Sequence, residues 1–164
     1  AELSTSMERV SGLGQVIFAQ MDVGPSDTLL VISNSGGNVI ARELTELATE
    51  AGLSTIALTS LAHATSATSR GSSAARIDQL AQFVIDNGGA PGDAVLDIEG
   101  VDRPMGPTST VIGAAIVNVL AMTAALKVAQ AGGQPAVFTS SNVVGGDEQN
   151  RATIARYRSR ARAL

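Results

Sequence analysis

The apolar run Thr28 to Ser33 (TLLVIS) breaks directly into a small polar corner, Asn34-Ser35-Gly36-Gly37-Asn38, and a helical pattern begins at once beyond it. A continuous apolar run suits a strand covered on both faces. From Asn38 to Ala51, Ile40, Leu44, Leu47 and Ala51 recur on one face, whereas Arg42, Glu43, Glu46 and Glu50 lie largely elsewhere. That pattern predicts a helix, and Gly52 stands where a helix-ending glycine belongs. Thr55 to Thr59 (TIALT) then reads as a second strand. Strand, helix and strand within about thirty residues form a βαβ unit, whose crossover makes the two strands parallel neighbours. The expected fold class is therefore α/β: a three-layer, doubly wound, mainly parallel sheet.

The remaining segments extend this frame. Glu8 to Met21 reads as a helix with Val10, Leu13, Ile17 and Met21 at spacings of three and four, and Gly24 to Asp27 as a turn. Leu61 to Ser73, rich in Ser, Thr and Ala, is expected to be a loop or weak helix carrying the lone His63. Ile77 to Leu80 predicts a short helix, Gln82 to Asp86 a third strand, Asn87 to Gly92 a breaker, Ala94 to Ile98 an edge strand and Met105 to Pro107 a turn. A long helix is expected from Ser109 to Ala131, a short strand over Ala136 to Phe138, and a final helix from Asp147 onward.

Length and composition narrow the function classes. With 164 residues the chain is expected to form one domain, and with 2% aromatics its core must be aliphatic. No Cys and a single His leave no thiolate nucleophile and no multi-histidine metal centre, so neither metal nor cofactor is expected. A net charge of −4 is a poor match to nonspecific nucleic-acid binding. No signal peptide is visible in Ala1 to Val10, and a cytoplasmic location is expected. Val111 to Val128 has 18 residues with Lys127 as its only charge, but eight of those positions are Ala, Gly, Asn or Thr. Such weak hydrophobicity argues against a membrane span and for a helix buried in a core or a subunit interface.

Parallel sheets place ligands at the carboxyl ends of their strands. Three polar clusters fall there: Ser33-Asn34-Ser35-Gly36-Gly37-Asn38, Thr59-Ser60, and Thr108-Ser109-Thr110 at the opening of the long helix. The first has the physics of a phosphate site, with free N–H groups at a helix start, the helix dipole, and glycines that allow close approach. It contains no lysine and is neither GxxxxGK[ST] nor GxGxxG, which argues against nucleoside triphosphates and dinucleotides. The same residues are also favoured helix caps, so cap and ligand site both stand as readings of this cluster alone.

VISNSGGN resembles the S-x-S-G-x-S type motif of the SIS (sugar isomerase) domain, and GPTSTVIGAAIVNVLAMTAALKVAQAGG resembles the late helix of SIS-type arabinose 5-phosphate isomerases. With ALTSLAH, VIDNGGAPGDA and NVVGGDEQNR, the chain looks most like a small bacterial SIS group related to phosphoheptose isomerases. The resemblance implies a phosphorylated sugar as ligand, with phosphate held by Ser33, Ser35, Gly36 and Asn38 and by Thr59 and Ser60. Asn34 and Gly37 complete the corner, and Thr108, Ser109 and Thr110 would contact sugar hydroxyls or support the loop. SIS domains of this kind begin with a helix, a strand and a Gly/Ser-rich loop before the S-x-S-G strand, whereas 27 residues precede it here and there is no initiator Met. The chain is thus expected to lack the first βα unit of the family.

Aldose–ketose isomerisation through an enediol(ate) needs a general base near C1 or C2 and an acid near the oxygens. Phosphoheptose isomerases place a Glu and a His near the start of the late helix, where this chain has Val111, Ile112 and Gly113. The remaining catalytic candidates are His63, in a loop facing the ligand edge, and Glu99, beyond the fourth strand. A surface His and a solvated carboxylate are the alternative readings. Five arginines crowd the last fourteen positions (Arg151, Arg156, Arg158, Arg160, Arg162), and their spacing spreads charge around a helix rather than along one face. The expected function is that of a phosphosugar-binding homodimer, an aldose–ketose isomerase in its full-length form. The alternatives are a noncatalytic phosphosugar sensor and an inert truncated fragment.

Overall fold

The computed structural model describes residues 2–66 and 74–159. The chain divides into two compact units, residues 1–116 and 117–164.

The first unit is built on a parallel sheet of β1 (Thr28–Ile32), β2 (Ser54–Thr59) and β3 (Phe83–Asp86), in the order β1-β2-β3. The register sets Leu30 beside Ile56, Val31 beside Ala57, and Ala57 beside Val84. The α/β class and the parallel βαβ unit read from sequence are both present. Between β1 and β2 runs α3 (Val39–Glu50), with Asn38 as its extended N-cap and Ala51 as its C-cap. Gly52, at φ +80°, follows it. The chain is turned there by Gly52 N–H donating to Thr49 O and Leu53 N–H donating to Ala48 O, the closure that a left-handed residue makes possible.

The core is small and aliphatic. Val31, Ala57 and Ile77 are buried together, with Leu29, Ala41 and Ala81 packed against them. Ile77 belongs to α5 (Ile77–Leu80), so α3 and α5 form the helical layer on this face of the sheet. Full burial of Ile77 contributes about 2 kcal/mol. The other face carries Leu30, Ile32, Ile56, Leu58 and Phe83, of which Ile32 is 57% and Phe83 55% exposed.

Several local expectations are corrected. The helix read over Glu8 to Met21 shrinks to α2 (Leu13–Phe18), and a separate short helix, α1 (Glu2–Met7), precedes it. Between them Gly12 takes φ +85°, and the Glu43 carboxylate accepts from Gly12 N–H at 2.7 Å and Gly14 N–H at 2.8 Å. A tertiary acceptor thus captures amides that a continuous helix would use itself. Met105–Pro107, read as a turn, is strand β5, which pairs antiparallel with β4 (Ala94–Leu96) in a separate two-stranded sheet. The backbone of Leu61–Ala64 is helix α4, while positions 67–73 of the Ser/Thr-rich loop lie outside the described residues. Ala136 to Phe138 is not a strand: the segment has no ladder partner, and its neighbour Thr139 bonds instead to Asn150.

The long helix, α6 (Ser109–Gln130), forms as expected, but within this chain it is not buried. Only Gly113 is buried, and Val111 (71%), Met122 (64%) and Leu126 (57%) face outward. Among the described residues α6 is the one helix long and apolar enough to cross a membrane by length and composition. In the second unit, α7 (Gly146–Tyr157) is tied down by Asn150, which accepts from Thr139 N–H and donates to Thr139 O. Arg156 lies over the Tyr157 ring at 5.3 Å and reaches Gln134 O. Arg151 and Arg158 are exposed, and Arg160 and Arg162 lie outside the described residues.

Candidate functional site

The three parallel strands end side by side, and their carboxyl ends are stitched together by polar contacts. After β1, Ser33 N–H donates to Leu58 O and Gly36 N–H turns back to Ser33 O, closing the Ser33–Asn38 corner. After β2, Thr59 Oγ1 and Ser60 N–H both donate to Asn34 O, at 3.1 Å each. After β3, Asn87 Nδ2 donates to Asn34 Oδ1 at 3.0 Å, and Asn87 N–H donates to Thr59 O. Asn34 is thus the hub on which all three strand ends converge.

Gly36 is buried at φ +67°, and a Cβ there would lie 3.3 Å from Thr59 Oγ1 and 3.4 Å from Ile77 Cγ1. The corner therefore packs its backbone against β2 and α5, and Ile77 N–H donates to Gly36 O. Arg76 and Asp78 flank Ile77 and form a two-pronged ion pair, Nε to Oδ1 and Nη2 to Oδ2, both at 3.0 Å. This pair sets a cation and its counter-ion beside a corner that contains no charge of its own.

The candidate residues fall into distinct roles. Thr59 and Ser60 are fully buried. The Ser60 hydroxyl donates to Gly89 O at 2.6 Å and accepts from His63 N–H, and the Thr59 hydroxyl is engaged by Asn34 O. Both shape the corner from beneath. The Ser33 and Ser35 hydroxyls, by contrast, have no hydrogen-bond partner among the described residues. Asn38 caps α3 by backbone geometry alone, and its side chain instead donates to Glu8 Oε2 at 2.7 Å. Ile40 N–H, in the first turn of α3, donates to Glu8 O at 3.3 Å. Glu8 thus presents a carboxylate and a carbonyl to donors at a helix N-terminus, the place where dipole and free amides favour an anion. Gly37 stands partly exposed in the same corner.

His63 sits on the single turn of α4 after Ser60, and its Nδ1 accepts from Gly92 N–H at 2.9 Å. Asp86, at the end of β3, accepts from Leu61 N–H and Gly88 N–H. The loop 87–93 thereby ties the second strand end to the third. Asp93, at φ +71°, continues it. Its carboxylate accepts from Thr108 N–H (3.1 Å), Ser109 N–H (2.8 Å) and Ser109 Oγ (2.6 Å). Burial raises the Asp93 pKa, but the hydrogen bonds from Ser109 and Thr108 outweigh it and hold the group below the usual aspartate range. The donors at the start of α6 are thus engaged by an internal carboxylate, while Thr110 is exposed beside them. Glu99 is exposed in the connection between β4 and β5 and has no hydrogen-bond partner among the described residues. It is not joined to the network that links the other candidates.

Sequence reasoning missed the loop 87–93 as part of the site. Asn87-Gly88-Gly89-Ala90-Pro91-Gly92 reads as a chain breaker, yet it supplies Asn87 to Asn34, Gly89 O to Ser60 and Gly92 N–H to His63. The available signal was its position directly after the third strand, on the edge where the other clusters fall.

Comparison with known proteins places the chain among SIS-type sequences. Residues 1–60, from α1 through β2 to Ser60, match the SIS domain. Along nearly its whole length the chain is similar to UPF0309 proteins. That of Geobacillus kaustophilus is 38% identical over 161 residues, covering 98% of this chain and 64% of the relative. That of Listeria innocua is 36% identical over 160 residues, covering 98% and 65%. That of Shouchella clausii is 32% identical over 156 residues, covering 95% and 63%. The chain therefore spans just under two thirds of the length of these curated relatives.

Proposed function

The chain is a SIS-domain relative of the UPF0309 proteins, and on that premise we propose that it binds a phosphorylated sugar at the carboxyl edge of its parallel sheet. The observation that carries this reading is the convergence of three strand ends on Asn34, which fixes a corner whose Ser33 and Ser35 hydroxyls lack protein partners among the described residues. Phosphate sits on the corner from Ser33 to Asn38, against the α3 N-terminus. Thr59 and Ser60 hold that corner in shape, Thr108 and Ser109 support the loop through Asp93, and Thr110 is left exposed toward the sugar hydroxyls. Full-length activity is aldose–ketose isomerisation through an enediol(ate), in the cytoplasm, with the apolar faces of α6 covered in a homodimer rather than by lipid. Of the two candidate catalytic residues, His63 is favoured over Glu99, because His63 is hydrogen-bonded into the strand-end network and Glu99 is not.

A second reading, a phosphosugar sensor without catalysis, is favoured by Val111, Ile112 and Gly113 at the start of α6, where a base and an acid are absent.

A thermal-shift titration of the chain with sugar phosphates of five to seven carbons, against the unphosphorylated sugars, tests binding. Stabilisation grows with ligand concentration over Kd. A shift that requires the phosphate and disappears in Ser35→Ala is expected. Equal melting curves with and without every sugar phosphate would reject the proposal. Deuterium exchange at C2 of a bound sugar phosphate separates the isomerase from the sensor.

A further inference from the structure

We infer that His63 serves this site as a neutral hydrogen-bond donor through its Nε2–H, and not as the general base. The inference rests on the phosphosugar reading for its ligand, but its geometric part stands on the protein alone. Gly92 N–H points at Nδ1 at 2.9 Å, and the direction of a backbone N–H is set by the peptide plane and cannot rotate to suit its neighbour. Nδ1 is therefore the accepting nitrogen. In a neutral imidazole one nitrogen accepts and the other carries the proton, so the proton is on Nε2.

The ring is held from both ends of its segment. Ser60 Oγ accepts from His63 N–H at 3.0 Å and anchors the α4 turn, while Ser60 itself is bound to Gly89 O. The loop that supplies Gly92 is anchored to the β1 corner through Asn87 and Asn34. His63 is thus oriented by both neighbouring strand ends, and Nε2–H has no hydrogen-bond partner among the described residues. A group fixed in this way suits stabilisation of an oxygen on which negative charge develops, as the carbonyl oxygen does during enediol(ate) formation. A base that abstracts a carbon-bound proton needs a free lone pair, and the one lone pair of this ring is occupied by Gly92.

The chain has a single histidine, so imidazole nitrogen NMR reports on His63 without ambiguity. At neutral pH the 15N-labelled chain is expected to show an unprotonated Nδ1 and a protonated Nε2. Adding ribose 5-phosphate, with ribose and inorganic phosphate as controls, is expected to shift the Nε2–H signal together with the backbone amides of residues 33–38. A dominant Nδ1–H tautomer would overturn the inference. So would corner amides that respond to ribose 5-phosphate while Nε2–H stays unmoved, an outcome that leaves the binding reading intact. A corner that does not respond at all would overturn both.

Variants supply a second readout. His63→Gln keeps a donor near the Nε2 position, whereas His63→Asn keeps only an acceptor for Gly92. The donor role predicts an affinity for ribose 5-phosphate about tenfold weaker in His63→Asn than in His63→Gln. The reverse order would sink it.

Discussion

Asn34 and Asn87 stand fifty-three positions apart in the chain and meet side chain to side chain, Asn87 Nδ2 donating to Asn34 Oδ1 at 3.0 Å. The contact joins the end of an outer strand, β1, to the end of the other outer strand, β3, across the mouth of β2. Asn87 is doubly used, because its Oδ1 accepts from Gly89 N–H at 2.8 Å. Asn87→Ala leaves a part-buried acceptor on Asn34 without its donor and frees the Gly88-Gly89 turn. A loss of about 1–3 kcal/mol in urea unfolding is expected, with weaker binding of sugar phosphate. Unchanged unfolding midpoints would show that the strand ends are held by their backbones alone.

Gly36→Ala tests the packing of the corner. Alanine at φ +67° is strained by about 1–2 kcal/mol, and its Cβ would press on Thr59 Oγ1 at 3.3 Å. Lower thermal stability and loss of phosphate-dependent stabilisation are expected together. A variant that melts and binds like the parent would mean that the corner relaxes freely.

Glu8 lies where it opposes an anion at the α3 N-terminus, through Asn38 Nδ2 and Ile40 N–H. Glu8→Gln removes the negative charge and keeps the hydrogen-bonding oxygen. Inorganic phosphate is expected to bind about two- to fivefold more tightly at low salt, with the gain fading as salt screens it. Calorimetric titration reads this directly, and a weaker or equal affinity would contradict the placement of phosphate at α3.

Glu43 makes folding sensitive to acid. Gly12 N–H lowers its pKa most, burial opposes this as the next largest effect, and Gly14 N–H, Ser11 Oγ and the Arg42 charge together carry the balance to the lowered side. The folded value lies below the ordinary glutamate value of 4.5. The stabilisation is therefore present above that pH and lost as pH falls through the folded value. Glu43→Gln is expected to flatten part of the acid limb of the unfolding-midpoint profile, while Asp93, also lowered, keeps the remainder. Identical acid limbs in parent and variant would remove Glu43 as a contributor.

Asp93 combines a left-handed backbone at φ +71° with the cap of α6. Asp93→Gly relieves the backbone and removes the cap, and Asp93→Ala removes the cap and keeps the strain. Both are expected to be less stable than the parent, the glycine variant by about 1 kcal/mol and the alanine variant by a further 1–2 kcal/mol, roughly. Equal stability of the two variants would show that strain at this position is negligible.

The βαβ unit was legible because its signals are local and agree with one another. TLLVIS is too apolar for a loop, the helix repeats Ile40, Leu44 and Leu47 at its own period, and Gly52 ends it. The corner was legible as a tight strand-to-helix turn for the same reason, although helix caps and anion sites draw on the same residues. Residues 8–12 and 105–107 were misread because a distant partner decides their state: the Glu43 carboxylate at one, strand β4 at the other.

By itself the sequence determined the class of fold, the parallel order of β1 and β2, and the strand ends at which Ser33–Asn38 and Thr59–Ser60 fall, all of which follow from periodicity and chain direction. Only the tertiary structure decided what each polar group does. Ser60 and Thr59 face inward to backbone oxygens, Thr108 and Ser109 are claimed by Asp93, Glu99 is exposed outside the network, and His63 is turned so that Gly92 chooses its tautomer. Hydrogen-bond partners are a matter of positions within about three ångströms, and residues 25 to 53 places apart reach that distance only after the sheet has brought its strand ends together.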